Sequence, residues 1–119
     1  MLKALAERFV TDRYQPEMRR AYLASESGFS ADNWALLGEL GLISAMFAER
    51  DGGLGIGPVG LATIFEALGR GLVVEPLIDN IAIAAALFAA TAGDDLKQVW
   101  MDALAIGEKR VAFAHRGQP

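Results

Sequence analysis

The chain has 119 residues, a hydrophobic fraction of 53%, a net charge of −4 and an isoelectric point near 4.9. That length predicts a single domain, and the acidity argues against the basic stripe of a nucleic-acid binder. The absence of cysteine excludes disulfide scaffolds, thiolate zinc sites and cysteine nucleophiles, and one histidine, His115, excludes multi-histidine metal sites.

The elements follow in chain order. Leu2, Leu5, Ala6, Phe9 and Val10 repeat at helical spacing, with Lys3, Glu7, Arg8, Asp12 and Arg13 on the other face. This predicts a helix over 2–14 that begins at once, so no signal peptide is expected and a cytoplasmic protein is the default. Pro16 suits the first turn of a second helix, over 17–26, that turns Met18, Ala21 and Tyr22 inward and ends near Gly28. Ser30 is the expected N-cap of a third, over 31–40, with Trp34, Leu37 and Leu40 on one face and Gly41 at its end. Leu42 to Ala48 reads either as a short buried strand or as an extended crossing, and Glu49 to Gly57 as a glycine-rich loop.

Pro58 opens a helix over 58–70 whose only polar side chains, Thr63, Glu66 and Arg70, form one narrow stripe, with Glu66 placed to pair with Arg70. A fifth helix, over 77–92, is apolar on nearly every side after Asp79 and Asn80, which predicts burial all round. Its uncharged run, Ile81 to Ala92, is too short for the roughly 20 residues of a membrane span. Asp94 caps a last helix over 94–106, with Leu96, Val99, Trp100, Ala103 and Leu104 inward and Gly107 at its end. Val111 to Ala114 reads as a strand without a partner, so residues 109–119 are expected to enter a β-domain beyond a helical domain of residues 1–108.

Several features invite chemical readings. Gly55-Ile56-Gly57-Pro58-Val59-Gly60 matches G-x-G-x-x-G, opens a helix, and has Glu75 where a ribose-binding acid would stand. Against a dinucleotide site, Glu49 to Leu54 separate the glycines from any preceding strand, and Glu49 and Asp51 would repel phosphate. Close backbone approach explains the glycines more simply. His115 reads as a structural residue rather than a general base, and Arg19-Arg20 as a solvated face rather than an anion site. Glu49, Asp51, Asp94 and Asp95 read as loop and cap residues, not as an acid–base pair. The alanine-rich run Ala82 to Ala90 permits close helix packing, or a wall beside an apolar ligand.

Three stretches carry a resemblance. Trp34-Ala35-Leu36-Leu37-Gly38-Glu39-Leu40-Gly41-Leu42, Ala48-Glu49-Arg50-Asp51-Gly52-Gly53-Leu54-Gly55 and Phe65-Glu66-Ala67-Leu68-Gly69-Arg70-Gly71-Leu72 resemble the N-terminal helical domain of acyl-CoA dehydrogenases. Ala92 to Trp100 is similar to that family's A-G-x-x-x-Q/K-x-x-W/Y helix. Asp12-Arg13-Tyr14, Arg20-Ala21-Tyr22 and Ala112-Phe113-Ala114-His115 are most similar to the small-subunit branch of pimeloyl-CoA dehydrogenase type. The resemblance implies an all-α orthogonal bundle in an FAD-dependent enzyme of fatty-acid metabolism that introduces an α,β double bond into an acyl-CoA thioester. It places the catalytic glutamate and most of the flavin site in parts of such enzymes outside these residues, so no catalytic residue and no metal is assigned here, and FAD is not expected on these residues alone. Remaining domains or a partner subunit, in a homo- or hetero-oligomer, would complete the catalyst. Carried over by position, Asn80, Ile81, Ala84, Leu87 and Phe88 would line the far end of the acyl pocket, and Phe113, His115 and Arg116 would touch the flavin. The segment Arg116-Gly117-Gln118-Pro119 lacks the threonine and glutamate of the family's T-E-P strand end. Two other readings compete: a non-catalytic helical interaction module descended from the family, and the dinucleotide-binding module.

Overall fold

The computed structural model describes residues 1–114, which form helices and turns with no strand among them. Helix α1 spans Leu2–Arg13, α2 Pro16–Ala24, α3 Ala31–Glu39, α4 Gly57–Arg70, α5 Ala86–Thr91 and α6 Asp94–Ala105. Two 3₁₀ turns, Ser44–Met46 and Glu49–Asp51, bridge α3 to α4, and a π-helix, Ile78–Ala85, runs straight into α5.

Local chemistry sets most of the boundaries. Ser30 Oγ accepts the Asn33 N–H at 3.1 Å and caps α3. Gly41 (φ +79°) and Gly107 (φ +84°) take the left-handed conformation that terminates α3 and α6. Pro16 and Pro58 sit in the first turns of α2 and α4. Glu66 and Arg70 pair at 2.7 Å on the exposed face of α4. The core joins Ala6 and Phe9 of α1, which packs on α4, to Ile64, Ala67 and Leu68. Trp34 and Leu37 of α3, Leu42, Ile43 and Phe47 of the connection, Leu77, Ile81 and Ala85 of the π-helical region, and Met101 and Leu104 of α6 complete it.

Five expectations are corrected. Val111 to Ala114 form no strand, because a ladder needs a second strand and the described residues supply none; the Val111 N–H instead donates to Asn80 Oδ1 at 3.2 Å. Leu42 to Ala48 turn through 3₁₀ geometry rather than extending. Helix α2 stops at Ala24, where Ser25 Oγ bonds the Tyr22 carbonyl at 2.6 Å, and it leaves Met18 and Ala21 exposed. Asp94 is the first residue of α6, and its side chain makes no cap bond. The fifth helix is not buried all round: Ile78, Ile83 and Leu87 are exposed.

Helix α6 is also turned from its expected face. Leu96, Val99 and Trp100 are exposed, and the inward positions are Lys97, Met101 and Leu104, spaced i, i+4, i+7. Lys97 Nζ meets Asp51 Oδ1 at 2.5 Å, and the Asp51 side chain is only 4% exposed. A carboxylate buried that far needs a cation; Lys97 and, at 3.8 Å, Arg50 supply one each, and this pairing together with Met101 and Leu104 holds the face of α6 that leaves its apolar stripe outward.

Gly38 lies where α3 meets the end of α6. A Cβ there would overlap the Ile106 carbonyl, which is backbone and cannot swing aside. Gly38→Ala is therefore expected to destabilise the protein by about 1–3 kcal/mol. Gly69, inside α4 with open space at its Cβ position, should give the opposite sign on conversion to alanine, a gain of roughly 0.5–1 kcal/mol from helix propensity. Chemical denaturation of both variants checks the pair; equal shifts would contradict the close approach at Gly38.

Candidate functional site

The turn from Gly71 to Leu77, which delivers the chain to the π-helix, is held by groups from three other elements. Glu75 is 5% exposed. Its Oε1 accepts the Tyr14 hydroxyl from the end of α1, and its Oε2 accepts the Ser30 N–H from the N-cap of α3 at 3.0 Å. The Tyr14 oxygen in turn accepts the Val74 N–H at 3.2 Å. Arg19 of α2 donates to the Leu72 carbonyl at 2.9 Å. Burial first, then the hydrogen bond to Glu75, push the Tyr14 hydroxyl far above its ordinary pKa; the Val74 N–H and the Asn33 side chain act weakly the other way. Neither Asn33 amide atom, nor Trp34 Nε1, reaches hydrogen-bond geometry, although all are enclosed.

The π-helix sets which residues face where. Its bonds close five residues apart, as the Ala86 N–H does on the Ile81 carbonyl, so its turn is wider than the 3.6 residues of an α-turn. Asn80, Ile81, Ala84 and Ala85 are its buried residues. Of the five residues assigned to an acyl wall, Ile81 belongs to the domain core, Ala84 is 4% exposed, Phe88 is half-buried against the core and Leu87 points outward at 43% exposure. Asn80 alone of the five lines an open groove of about 700 Å³, together with Pro76, Asp79, Ile83, Val111, Ala112 and Phe113. The structure thus brings Asn80 and Phe113 together and leaves the other four wall residues off the groove. His115 and Arg116 lie outside the described residues.

Ile83, Pro76 and Asp79 are groove residues that the helical repeat did not single out. The signal that could have found them is ordinary helical spacing: Pro76, Asp79, Asn80 and Ile83 stand at i, i+3, i+4 and i+7. A smaller cleft of about 340 Å³ opens on the other side of Pro76 and Asp79, with Phe65, Val73 and Glu75 in its walls. Glu75, weighed as a ribose-binding acid, is instead occupied with Tyr14 and Ser30. The glycine loop has no strand before it, and Gly53 leaves no room for a Cβ beside the Phe47 carbonyl, so close backbone approach accounts for at least this glycine of the loop. Among the described residues no His, Asp and Glu cluster suits a metal ion, and no helix is long and apolar enough to cross a membrane.

Comparison with known proteins gives a consistent result. Residues 1–108 match the family description "Acyl-CoA dehydrogenase, N-terminal domain". Over 95 residues the chain is 33% identical to Acyl-CoA dehydrogenase IpdE2 of Mycobacterium tuberculosis (strain ATCC 25618 / H37Rv), covering 79% of this chain and 30% of that protein. Its fold is similar to the Tcur3481-Tcur3483 steroid ACAD, with TM-score 0.78 and 29% identity over 92% of this chain and 30% of that one. It is similar also to the ChsE4-ChsE5 complex from Mycobacterium tuberculosis, with TM-score 0.81 and 27% identity over the same shares. The chain spans 30% of the length of each of these relatives.

The Tyr14–Glu75 contact has a pH signature. A hydroxyl whose folded-state pKa lies above the ordinary tyrosine value of about 10 adds stability that is complete below that pH and is lost as pH rises beyond it. Tyr14→Phe should cost about 1–3 kcal/mol at neutral pH by leaving a buried carboxylate short of a donor, and should flatten the stability loss above about pH 10. Denaturation midpoints of both proteins from neutral to strongly alkaline pH test this; parallel curves would refute it.

Proposed function

The chain belongs to the acyl-CoA dehydrogenase family, matching its N-terminal domain, and from that premise we propose that it forms one wall of the acyl-group pocket of a flavin-dependent acyl-CoA dehydrogenase. The observation that carries the reading is the groove bounded by Pro76, Ile83, Val111, Ala112 and Phe113, an apolar trough on the flank of a π-helix whose entry is locked by Glu75. Such a trough excludes water from an acyl group, and each apolar side chain it covers contributes roughly 1.5–3 kcal/mol when fully buried. The described residues take no part in bond making or breaking. They bound and orient the acyl group.

FAD is the cofactor that the family implies. Of the three residues carried over for it, Phe113 is the described one, and it offers an apolar edge without donors for the ring or the phosphates. Flavin and catalytic base come, in this reading, from other domains or from a partner subunit. The exposed stripe Leu96, Val99 and Trp100 of α6 supports such an assembly, since contiguous apolar surface marks contact sites, and so does the likeness to the two-protein ChsE4-ChsE5 complex. The reading carries the family's cytoplasmic location with it.

The test of function uses the full protein, with any subunit that copurifies. Flavin absorbance that bleaches on addition of an acyl-CoA, with appearance of the enoyl product, supports the reading; acyl-CoA binding without bleaching would favour a non-catalytic module. The wall itself is tested by two substitutions. Ile83→Trp, at a position 48% exposed, should lower kcat/KM for bulky acyl-CoAs by about tenfold or more while sparing short ones, with little change in Tm. Ala84→Phe, at a buried position off the groove, should instead cost about 1–3 kcal/mol of stability and leave chain-length preference flat. The reverse pattern would move the wall back to Ala84.

A further inference from the structure

Resting on the acyl-pocket reading, we propose that Asn80 is a specificity-determining residue that hydrogen-bonds an oxygen on the acyl group, so that the groove selects acyl-CoAs with a ketone or hydroxyl on an otherwise apolar tail over plain alkyl chains. Asn80 is 7% exposed and sits in the first turn of the π-helix. Its amide orientation is fixed by chemistry: the Val111 backbone N–H, 3.2 Å away, can only donate, so the atom that faces it is Oδ1. Nδ2 therefore points away from Val111. Among the described residues no hydrogen bond engages it, it is not one of the enclosed polar atoms that lack partners, and Asn80 lines the groove.

The surroundings give that donor its meaning. The walls beside it are Pro76, Ile83, Val111, Ala112 and Phe113, none of which has a side-chain acceptor. A plain alkyl tail in the trough would cover Nδ2 and leave a desolvated donor without a partner, which is unfavourable. An oxygen at that depth satisfies it. Asp79, exposed on the rim, adds the second half of the selection. Its carboxylate disfavours an anionic tail, and it can accept from a hydroxyl but not from a ketone. Neutral oxygen on an apolar body is the chemistry that both residues admit.

The experiment measures binding by calorimetry to the full protein with its flavin and any copurifying subunit. The probes are octanoyl-CoA and octanoyl-CoA derivatives that carry one ketone or one hydroxyl at each distal carbon in turn. At least one oxygenated probe should bind about fivefold tighter than octanoyl-CoA, the value of one net hydrogen bond. Asn80→Asp retains the acceptor for Val111 and removes the donor; it should abolish the preference for the ketone. Asp79→Asn, at an exposed position that does not threaten folding, should weaken the hydroxyl probe and leave the ketone unchanged. No preference in the unmodified protein, or a ketone preference that survives Asn80→Asp, overturns the proposal. If Asn80→Asp does not fold, the unmodified protein's preference and the Asp79→Asn contrast still decide it. Tight, oxygen-dependent binding without flavin bleaching would retire the dehydrogenase reading and keep this one.

Discussion

Glu75 buries a carboxylate where three elements meet, and the neighbouring elements are arranged around satisfying it. Each oxygen takes a donor from a different place: the Tyr14 hydroxyl at the end of α1 and the Ser30 N–H at the cap of α3. A buried carboxylate short of donors is among the more expensive states a small domain can hold. The three elements are therefore not free to slide past one another. The turn they grip is itself unfavourable. Leu72 sits at φ +54° with its side chain 61% exposed, a conformation that costs a non-glycine residue about 1–3 kcal/mol. It persists because Arg19 holds the Leu72 carbonyl and Tyr14 holds the Val74 N–H. The clamp fixes the point at which the chain leaves the turn, and from there Pro76 and the π-helix fix the direction of every side chain as far as Ala85.

That direction decides what the groove can be. An α-turn carried through Asn80 would place Asn80, Ile81, Ala84, Leu87 and Phe88 along one face. Burial divides them: Ile81 and Ala85 pack into the core, Leu87 is exposed, and Ile83 lies at the edge where Val111 to Phe113 pass. The Asn80–Val111 bond ties that passing segment down, so one side chain both forms part of the trough and holds its opposite wall in place.

The parts of the fold that were legible in the sequence are those set by short-range chemistry. Ser30 as a cap, Gly41 and Gly107 as terminators, Pro16 and Pro58 as starters, and Glu66 with Arg70 all act within one turn of helix, and each stands as read. The resemblance in Trp34 to Leu42 also includes a position set by close contact: Gly38 lies against the Ile106 carbonyl with no room for a Cβ. What could not be read was set by distant partners. Nothing near Leu96 says that Lys97 must turn inward; Asp51, nearly fifty positions away, says it. Nothing near Glu75 names Tyr14. An isolated acid between Val74 and Pro76, inside an apolar stretch, does announce a buried carboxylate in need of a donor, and that signal was open to a different interpretation as a ribose ligand. The groove residues Pro76, Asp79, Asn80 and Ile83 share one helical face in the sequence, but what gathers them into a groove is the distant segment Val111 to Phe113.

The high apolar content, 53% of the chain, resolves into two populations with different partners. One is consumed inside the domain by Trp34, Phe9, Leu37 and the residues around them. The other is exposed, and part of it lies on the outer sides of the π-helix, α5 and α6, where Ile83, Leu87, Leu96, Val99 and Trp100 face away from the core. The polar contacts lie between the two. Lys97 with Asp51 and Asn80 with Val111 are nearly buried pairs that hold α6 and the 111–113 segment in position while their apolar neighbours face away from the core. A domain that had only to be stable by itself would gain more by turning Val99 and Trp100 inward than by burying an ion pair, since exchanging buried ion pairs for hydrophobic packing is often neutral or stabilising. The arrangement makes physical sense when the outward stripe has a surface to meet.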